Sequence, residues 1–230
     1  MSATSPTQRS SFESPRAAHR LRISEIFLSL QGEADTAGAP TTFVRLTGCP
    51  LRCVYCDTAY AFGGGEVMAV EEILSQVAAN GVEHVCVTGG EPLAQRSVLP
   101  LMRALCDEGH RVSLETSGAL AIGEVDPRVV RVVDIKTPAS GEVHRNLASN
   151  LELLGANDRV KFVLTDRADY EWSRRFIAEH ALAQRCPVFL SPSHEVLAPR
   201  ELADWIVADR LPVRLQVQLH KYLWGDMPGV

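Results

Sequence analysis

From Leu21 onward, short runs rich in β-branched residues alternate with amphipathic helical stretches. Such alternation commits a chain to an α/β fold built on a mostly parallel sheet. Strands are expected over 22–29, 42–47, 84–88, 111–115, 131–135, 160–164, 187–190 and 213–218, and helices over 70–79, 95–108, 143–154, 167–182 and 199–208. Gly81, Gly109 and Gly155 follow three of these helices, where a left-handed residue ends a helix. Six βα-like steps after Thr41 are too few for a complete eight-stranded barrel, so a partial, incomplete βα barrel is expected. With 230 residues, the chain suits one domain over 21–230. Residues 1–20 are Ser-, Thr-, Pro- and Arg-rich and too poor in apolar side chains to offset ordering entropy, so they are expected to be a disordered tail. An organelle transit peptide has a similar composition.

Three cysteines, Cys49, Cys53 and Cys56, fall within eight residues. A structural zinc site needs four closed ligands, and no second Cys-x-x-Cys or histidine pair supplies the fourth. Three thiolates instead suit an iron–sulfur cluster with one iron open to an exogenous ligand. Cys86, Cys106 and Cys186 lie in apolar surroundings and read as small buried hydrophobes outside the site. A net charge of −5 gives no electrostatic reason to expect nucleic acid or an anionic membrane as partner. No apolar run is long enough to span a bilayer and no apolar secretory segment opens the chain, so a cytoplasmic location is expected, one that also keeps thiols reduced.

The unusual residues cluster at strand ends. The cysteine loop follows 42–47, Thr88-Gly-Gly-Glu-Pro92 follows 84–88, Glu115-Thr-Ser-Gly118 closes 111–115, Asp134-Ile-Lys-Thr-Pro138 closes 131–135, and Ser191-Pro-Ser193 follows 187–190. Parallel βα architectures gather these ends on one face, so the five segments should form one composite site. Glycines after a strand let backbone approach a ligand closely, while Glu91 can fix the loop.

Cys-x-x-x-Cys-x-x-Cys with Tyr55 before the third cysteine, followed by Thr-Gly-Gly-Glu-Pro, resembles the radical S-adenosylmethionine (SAM) superfamily. Flanking segments narrow the likeness: Glu25-Ile-Phe-Leu-Ser-Leu-Gln-Gly-Glu33, Phe43-Val-Arg-Leu-Thr-Gly-Cys49, Cys56-Asp-Thr58, Leu114-Glu-Thr-Ser-Gly118 and Gln216-Val-Gln-Leu-His-Lys221 resemble the 7-carboxy-7-deazaguanine synthases. The resemblance runs from about Ile23 to the C-terminus. It implies conversion of 6-carboxy-5,6,7,8-tetrahydropterin to 7-carboxy-7-deazaguanine with ring contraction and loss of ammonia, on the route to queuosine and other 7-deazapurines. A [4Fe-4S] cluster, SAM and Mg²⁺ are the implied cofactors. The cofactor supplies the radical, so no protein residue is expected to be catalytic in its own right.

Matched motif by motif, the resemblance assigns Cys49, Cys53 and Cys56 to the cluster. Gly89, Gly90 and Glu91 go to the SAM amino group, Tyr55 and Asp57 to its adenosyl portion, and Ser117, Lys136, Thr137 and Pro138 to its ribose and carboxylate, with Cys56 also counted among the cofactor-binding residues. Lys136 has an alternative as a structural ion pair with Asp134 or Glu115. Leu30, Gln31, Gly32, Glu33, Thr88, His220 and the Val230 carboxylate are assigned to the pterin, and Arg45 to its carboxylate. Thr58 would offer Mg²⁺ a hydroxyl, which suits an ion that keeps several waters, although a loop-capping threonine reads the same way. Pro50, Tyr55 and Ala34 stand where members often carry Asn, Trp or Phe, and Gly; none removes an assigned ligand. The short cysteine spacing lacks an insertion found in some members. Implied partners are a homodimeric second copy and an electron donor such as flavodoxin or ferredoxin. A radical SAM activase acting on a protein glycine and a non-catalytic zinc-binding module are the competing readings.

Overall fold

The computed structural model describes residues 19–225, 227 and 229. Val230 and all of the expected tail except His19 and Arg20 lie outside the described residues. Among the described residues nine strands form one sheet: β1 (Arg20–Leu30), β2 (Pro40–Leu46), β3 (Glu66–Ala69), β4 (His84–Gly89), β5 (Arg111–Thr116), β6 (Val130–Asp134), β7 (Arg159–Leu164), β8 (Val188–Pro192) and β9 (Arg214–Leu215). Their order is β3-β1-β2-β4-β5-β6-β7-β8-β9; the two ends do not pair, leaving the partial barrel open. β2 and β4 to β9 are mutually parallel, whereas β1 is antiparallel to both β2 and β3. Arg20 pairs with Ala69, so the sheet begins inside the stretch expected to be tail.

Helices α1 (Val70–Asn80), α2 (Val98–Asp107), α3 (Ser149–Glu152), α4 (Arg167–Glu179), α5 (Leu182–Arg185), α6 (Pro199–Asp209) and α7 (Leu219–Trp224) complete the fold. In α1, Val70, Ile73, Leu74 and Val77 fall on one face and are buried, each contributing roughly 1.5–3 kcal/mol relative to exposure. Gly81 ends α1 with φ 65°.

Three helix expectations change. The 95–108 helix begins at Val98, after a 3₁₀ turn at Pro92–Ala94. The 143–154 segment is a 3₁₀ turn and the short α3, because the Asn146 side chain both accepts from Lys136 N and donates to Lys136 O at 2.9 Å, holding the chain against the end of β6. The 167–182 helix stops at Glu179, and Ala181, at φ 51°, separates α4 from α5. The expected 213–218 strand shrinks to the two residues of β9; β3 and α7 are elements that periodicity does not predict.

Strand alternation sorts the side chains. Val44 and Leu46, Val85 and Val87, Val112 and Leu114 pack outward with α1 and α2; Val160, Phe162 and Leu164 do so in a second apolar cluster with Tyr170, Ile177 and Leu202 of α4 and α6. The alternate positions, Phe43, Arg45, Cys86, Thr88, Glu115, Asp134, Lys161 and Val163, line the barrel interior. A period of two therefore builds the apolar core and a polar cavity from the same strands.

Candidate functional site

A cavity of about 440 Å³ occupies the barrel interior, walled on one side by Cys49, Cys53 and Cys56 and on another by Gly89 and Gly90. Gly48, at φ 98°, turns the chain out of β2 into the cysteine loop. The loop is then tied down by backbone bonds: Gly48 N donates to Ala61 O at 2.8 Å, Val54 N to Ser140 O at 3.0 Å and Cys56 N to Cys53 O at 3.2 Å. The Arg52 side chain donates to the Cys49 and Leu51 carbonyls and lies 4.2 Å from the Phe62 ring centroid. Burial pushes the Cys49 and Cys53 thiols up, so metal binding at this loop must displace protons.

The Gly-Gly-Glu turn is bonded to the cysteine loop. Gly90 N donates to Leu46 O at 3.1 Å and Glu91 N to Gly48 O at 2.8 Å. Glu91 itself is fully buried and does not line the cavity. Its carboxylate accepts from Leu93 N at 3.0 Å, Ser117 N at 2.7 Å, and the Thr116 and Ser117 hydroxyls. This side chain thus braces the turn, while Gly89, Gly90, Thr116 and Ser117 around it line the cavity. Thr137 and Pro138 also stand behind the wall, the Thr137 hydroxyl donating to Val163 O and Asp169 Oδ2. Tyr55 lines the cavity, and burial raises its pKa.

Charged groups crowd the interior. Lys136 Nζ pairs with Asp134 Oδ2 at 2.9 Å, so the ion pair foreseen as an alternative is formed, and Lys136 lines the cavity as well. Burial disfavours the Lys136 ammonium, but the Asp134 charge and hydrogen bond, together with the Tyr55 and Cys53 side chains, outweigh it and hold the pKa above the usual lysine range. Lys161 Nζ lies 2.6 Å from Glu33 Oε2 and 3.5 Å from Glu115 Oε2. Burial, with the charges of Glu33 and Asp134, pushes Glu115 up to about 7 against the pull of Lys161.

Gln31, Gly32 and Glu33 follow β1, whose direction puts them at the end of the barrel opposite the cysteine loop: Leu30 is level with Pro40, the first residue of β2. All three line the cavity, as do Leu30 and Thr88. An added Cβ on Gly32 would lie 2.0 Å from His220 Nδ1, so only glycine leaves room for the imidazole. His220 sits in α7, not on a strand end, and burial lowers its pKa. Arg45 Nε donates to Glu25 Oε1 at 2.6 Å, with the guanidinium 5.7 and 5.8 Å from the Phe27 and Tyr60 ring centroids. Thr58 Oγ1 donates to Asp57 Oδ1 at 2.8 Å, and both residues line the cavity. Gln218 Nε2 reaches Glu33 Oε1 at 2.9 Å and Asp57 Oδ2 at 3.3 Å, joining the two ends of the site.

Several lining residues escaped sequence reasoning. Cys86 is buried as expected but also faces the cavity, while Cys106 is only partly buried. Lys161 carried a signal, a lysine between Val160 and Phe162 in a largely apolar strand, that reads equally well as solvent-facing. Phe27 and Phe43, stacked with centroids 5.0 Å apart, give the cavity an apolar wall.

The donor set suits a cluster. The three thiols stand in one wall, and among the described residues no three Cys, His, Asp or Glu side chains close on a single-ion position, as four short bonds to zinc would require. Residues 43–132 match the radical SAM superfamily. Fold, cysteine loop and glycine turn together define a radical SAM enzyme, with a [4Fe-4S] cluster and SAM as its cofactors. A 7-carboxy-7-deazaguanine synthase from Chlorobaculum tepidum is 48% identical over 91% of this chain and 97% of its own length, and one from Koribacter versatilis is 43% identical over 89% and 97%. The crystal structure of QueE from Escherichia coli superposes with a TM-score of 0.75 at 25% identity, covering 92% of this chain and all of that one. The chain belongs to the 7-carboxy-7-deazaguanine synthase family. SuiB from Streptococcus suis, at 16% identity and a TM-score of 0.54, shares the fold alone. Among the described residues no helix is long and apolar enough to cross a membrane.

Proposed function

We propose that this enzyme converts 6-carboxy-5,6,7,8-tetrahydropterin to 7-carboxy-7-deazaguanine, contracting the ring and releasing ammonia, in the pathway to queuosine and related 7-deazapurines. The supporting observation is that one cavity holds the cysteine loop and glycine turn together with Arg45, Gln31, Glu33 and His220. When bound, the reduced cluster and SAM supply one-electron chemistry that removes a hydrogen atom from a substrate C–H bond. The chain's own residues orient the reactants and exclude water.

Cys49, Cys53 and Cys56 hold the cluster in this reading. The Gly89 and Gly90 backbone receives the SAM amino group, Glu91 acting only through the turn that it braces; Tyr55 and Asp57 flank the adenosyl portion, and Ser117 and Lys136 take the ribose and carboxylate. Thr137 and Pro138 act from behind, by fixing the end of β6. Arg45 meets the substrate carboxylate from between Phe27 and Tyr60, and Leu30, Gln31, Gly32, Glu33, Thr88 and His220 surround the pterin. Val230 lies outside the described residues, and its carboxylate is assigned to the pterin as well. The enzyme works as a single domain over 21–230, as a cytoplasmic homodimer reduced by a flavodoxin or ferredoxin.

The decisive experiment incubates anaerobically reconstituted protein with SAM, a reductant, Mg²⁺ and the carboxypterin. The deazaguanine should form without net consumption of SAM; an intact cluster that yields no product overturns the reading. Thr58 is the proposed Mg²⁺ ligand, its hydroxyl lying beside Asp57 in the cavity wall. Thr58→Ala is expected to lower Mg²⁺ stimulation of turnover by about tenfold with iron content unchanged. An unaltered Mg²⁺ titration curve would exclude that role.

A further inference from the structure

Among the described residues, Lys161 is the ammonium that reaches both the substrate loop and β5. It pairs with Glu33 at 2.6 Å and Glu115 at 3.5 Å, and lies 4.0 Å from Asp134, while its side chain is only 12% exposed. The three carboxylates come from three separate elements: the β1–β2 loop, the end of β5 and the end of β6. Asp134 has its own partner in Lys136, so Lys161 serves mainly the other two. Glu33 is further fixed by Gln218 at 2.9 Å. The neighbouring residues reinforce the tie across the open barrel, with Ala34 N donating to Gln216 Oε1 at 2.6 Å and Asp35 paired with Arg159.

We propose that Lys161 is a positioning residue for the substrate half of the site, holding Glu33 and Glu115 in the cavity so that together they fix where the carboxypterin lies. The inference rests on the function proposed above. Three carboxylates share two ammoniums here, and removing Lys161 leaves three against one. Two carboxylates on separate elements then repel each other and an anionic substrate alike, whereas the Asp134–Lys136 pair on the SAM side keeps both members. Glu115 Oε1 and Asp134 Oδ1 are buried without partners among the described residues, so each has an acceptor left to offer a ligand N–H or O–H. The groups that face Glu115 are Lys161 on β7, Asp134 on β6, Glu33 on the loop and the Cys86 thiol on β4.

The test compares Lys161→Met, Lys161→Arg and the double variant Lys161→Met/Glu115→Gln in the anaerobically reconstituted protein, with kinetics measured in the presence of SAM and a reductant and carboxyl titrations measured with the cluster oxidised. Lys161→Met is expected to raise the carboxypterin KM by about tenfold or more while SAM affinity and iron content stay within about twofold. Glu115→Gln added to it should recover much of that loss, and Lys161→Arg should retain most of the wild-type value. In protein labelled with ¹³Cδ-glutamate, the Glu115 resonance, assigned from Glu115→Gln, should titrate at least about one unit higher in Lys161→Met than in wild type. An unchanged KM with an unchanged Glu115 titration overturns the proposal. So does a parallel loss of SAM and carboxypterin affinity that neither arginine nor the second substitution repairs, because that is the behaviour of a merely structural lysine. If wild-type protein fails to turn over the carboxypterin, the functional reading falls, and the carboxyl titration still decides whether Lys161 governs Glu115.

Discussion

Replacing Gly90 with alanine is expected to reduce iron loading to a small fraction of wild type and SAM cleavage by about 100-fold or more. The added methyl would lie 2.3 Å from Gly48 O, 2.6 Å from Gly48 C and 2.8 Å from Cys49 Cβ. Two of these atoms belong to backbone and the third is the first side-chain atom of Cys49, a proposed cluster ligand, so no flexible end can swing aside. Relief must come from parting the glycine turn and the cysteine loop, which breaks the Glu91 N to Gly48 O bond and displaces Cys49. Iron and sulfide quantification after anaerobic reconstitution reads the first effect, and 5′-deoxyadenosine formation with dithionite reads the second. Gly63→Ala is the control, since nothing lies within 4 Å of its added Cβ and its φ is −147°. Full iron occupancy in Gly90→Ala would mean that the two loops are not packed as described.

Glu91→Gln is expected to destabilise the protein by about 3 kcal/mol, seen as a fall in Tm of roughly 10 °C. The buried carboxylate accepts from two backbone N–H groups and two hydroxyls. An amide of the same shape must turn its NH₂ toward either Leu93 N or Ser117 N, each of which can only donate. One donor is left facing another in a site closed to water, and the remaining bonds lose their charge assistance. Glu91→Asp, which retains the acceptors but is one methylene shorter, should lie between the two. A thermal midpoint within a degree or two of wild type for Glu91→Gln would show that the brace carries little energy.

The parallel strands were legible because their outward positions are nearly all Val, Leu or Phe, and the chemistry-bearing loops because they follow those strands directly. The same rule says nothing of the segment after β1. Gln31 to Glu33 lie beyond a strand that runs the other way, and nothing in local alternation distinguishes an antiparallel first strand from a parallel one. His220 was legible by motif, but its helical setting was not, since the six residues of α7 are too few for a clear period. Glu91, which the motif assigns to the ligand, is fully buried, and Gly89 and Gly90 line the cavity beside it; no local pattern distinguishes the two settings. Lys161 and Glu33 are 128 residues apart, and no local pattern can announce a pair formed only when the barrel folds.

The antiparallel direction of β1 has a consequence for how such an enzyme can diversify. The parts that generate a radical are set at one end of the barrel, bonded to each other through Gly48, Gly90 and Glu91. The 31–39 loop enters from the other end, held by contacts to Arg159, Lys161, Gln216 and Leu219 that involve none of those bonds. On the roles proposed above, substitutions in that loop can reshape the floor under the substrate while the bonds through Gly48, Gly90 and Glu91 stay in place, with Gln218 as a side chain that touches both Glu33 and Asp57. The molecule thus separates inheritance of a reaction from choice of substrate, with the barrel wall as the structure that both must share.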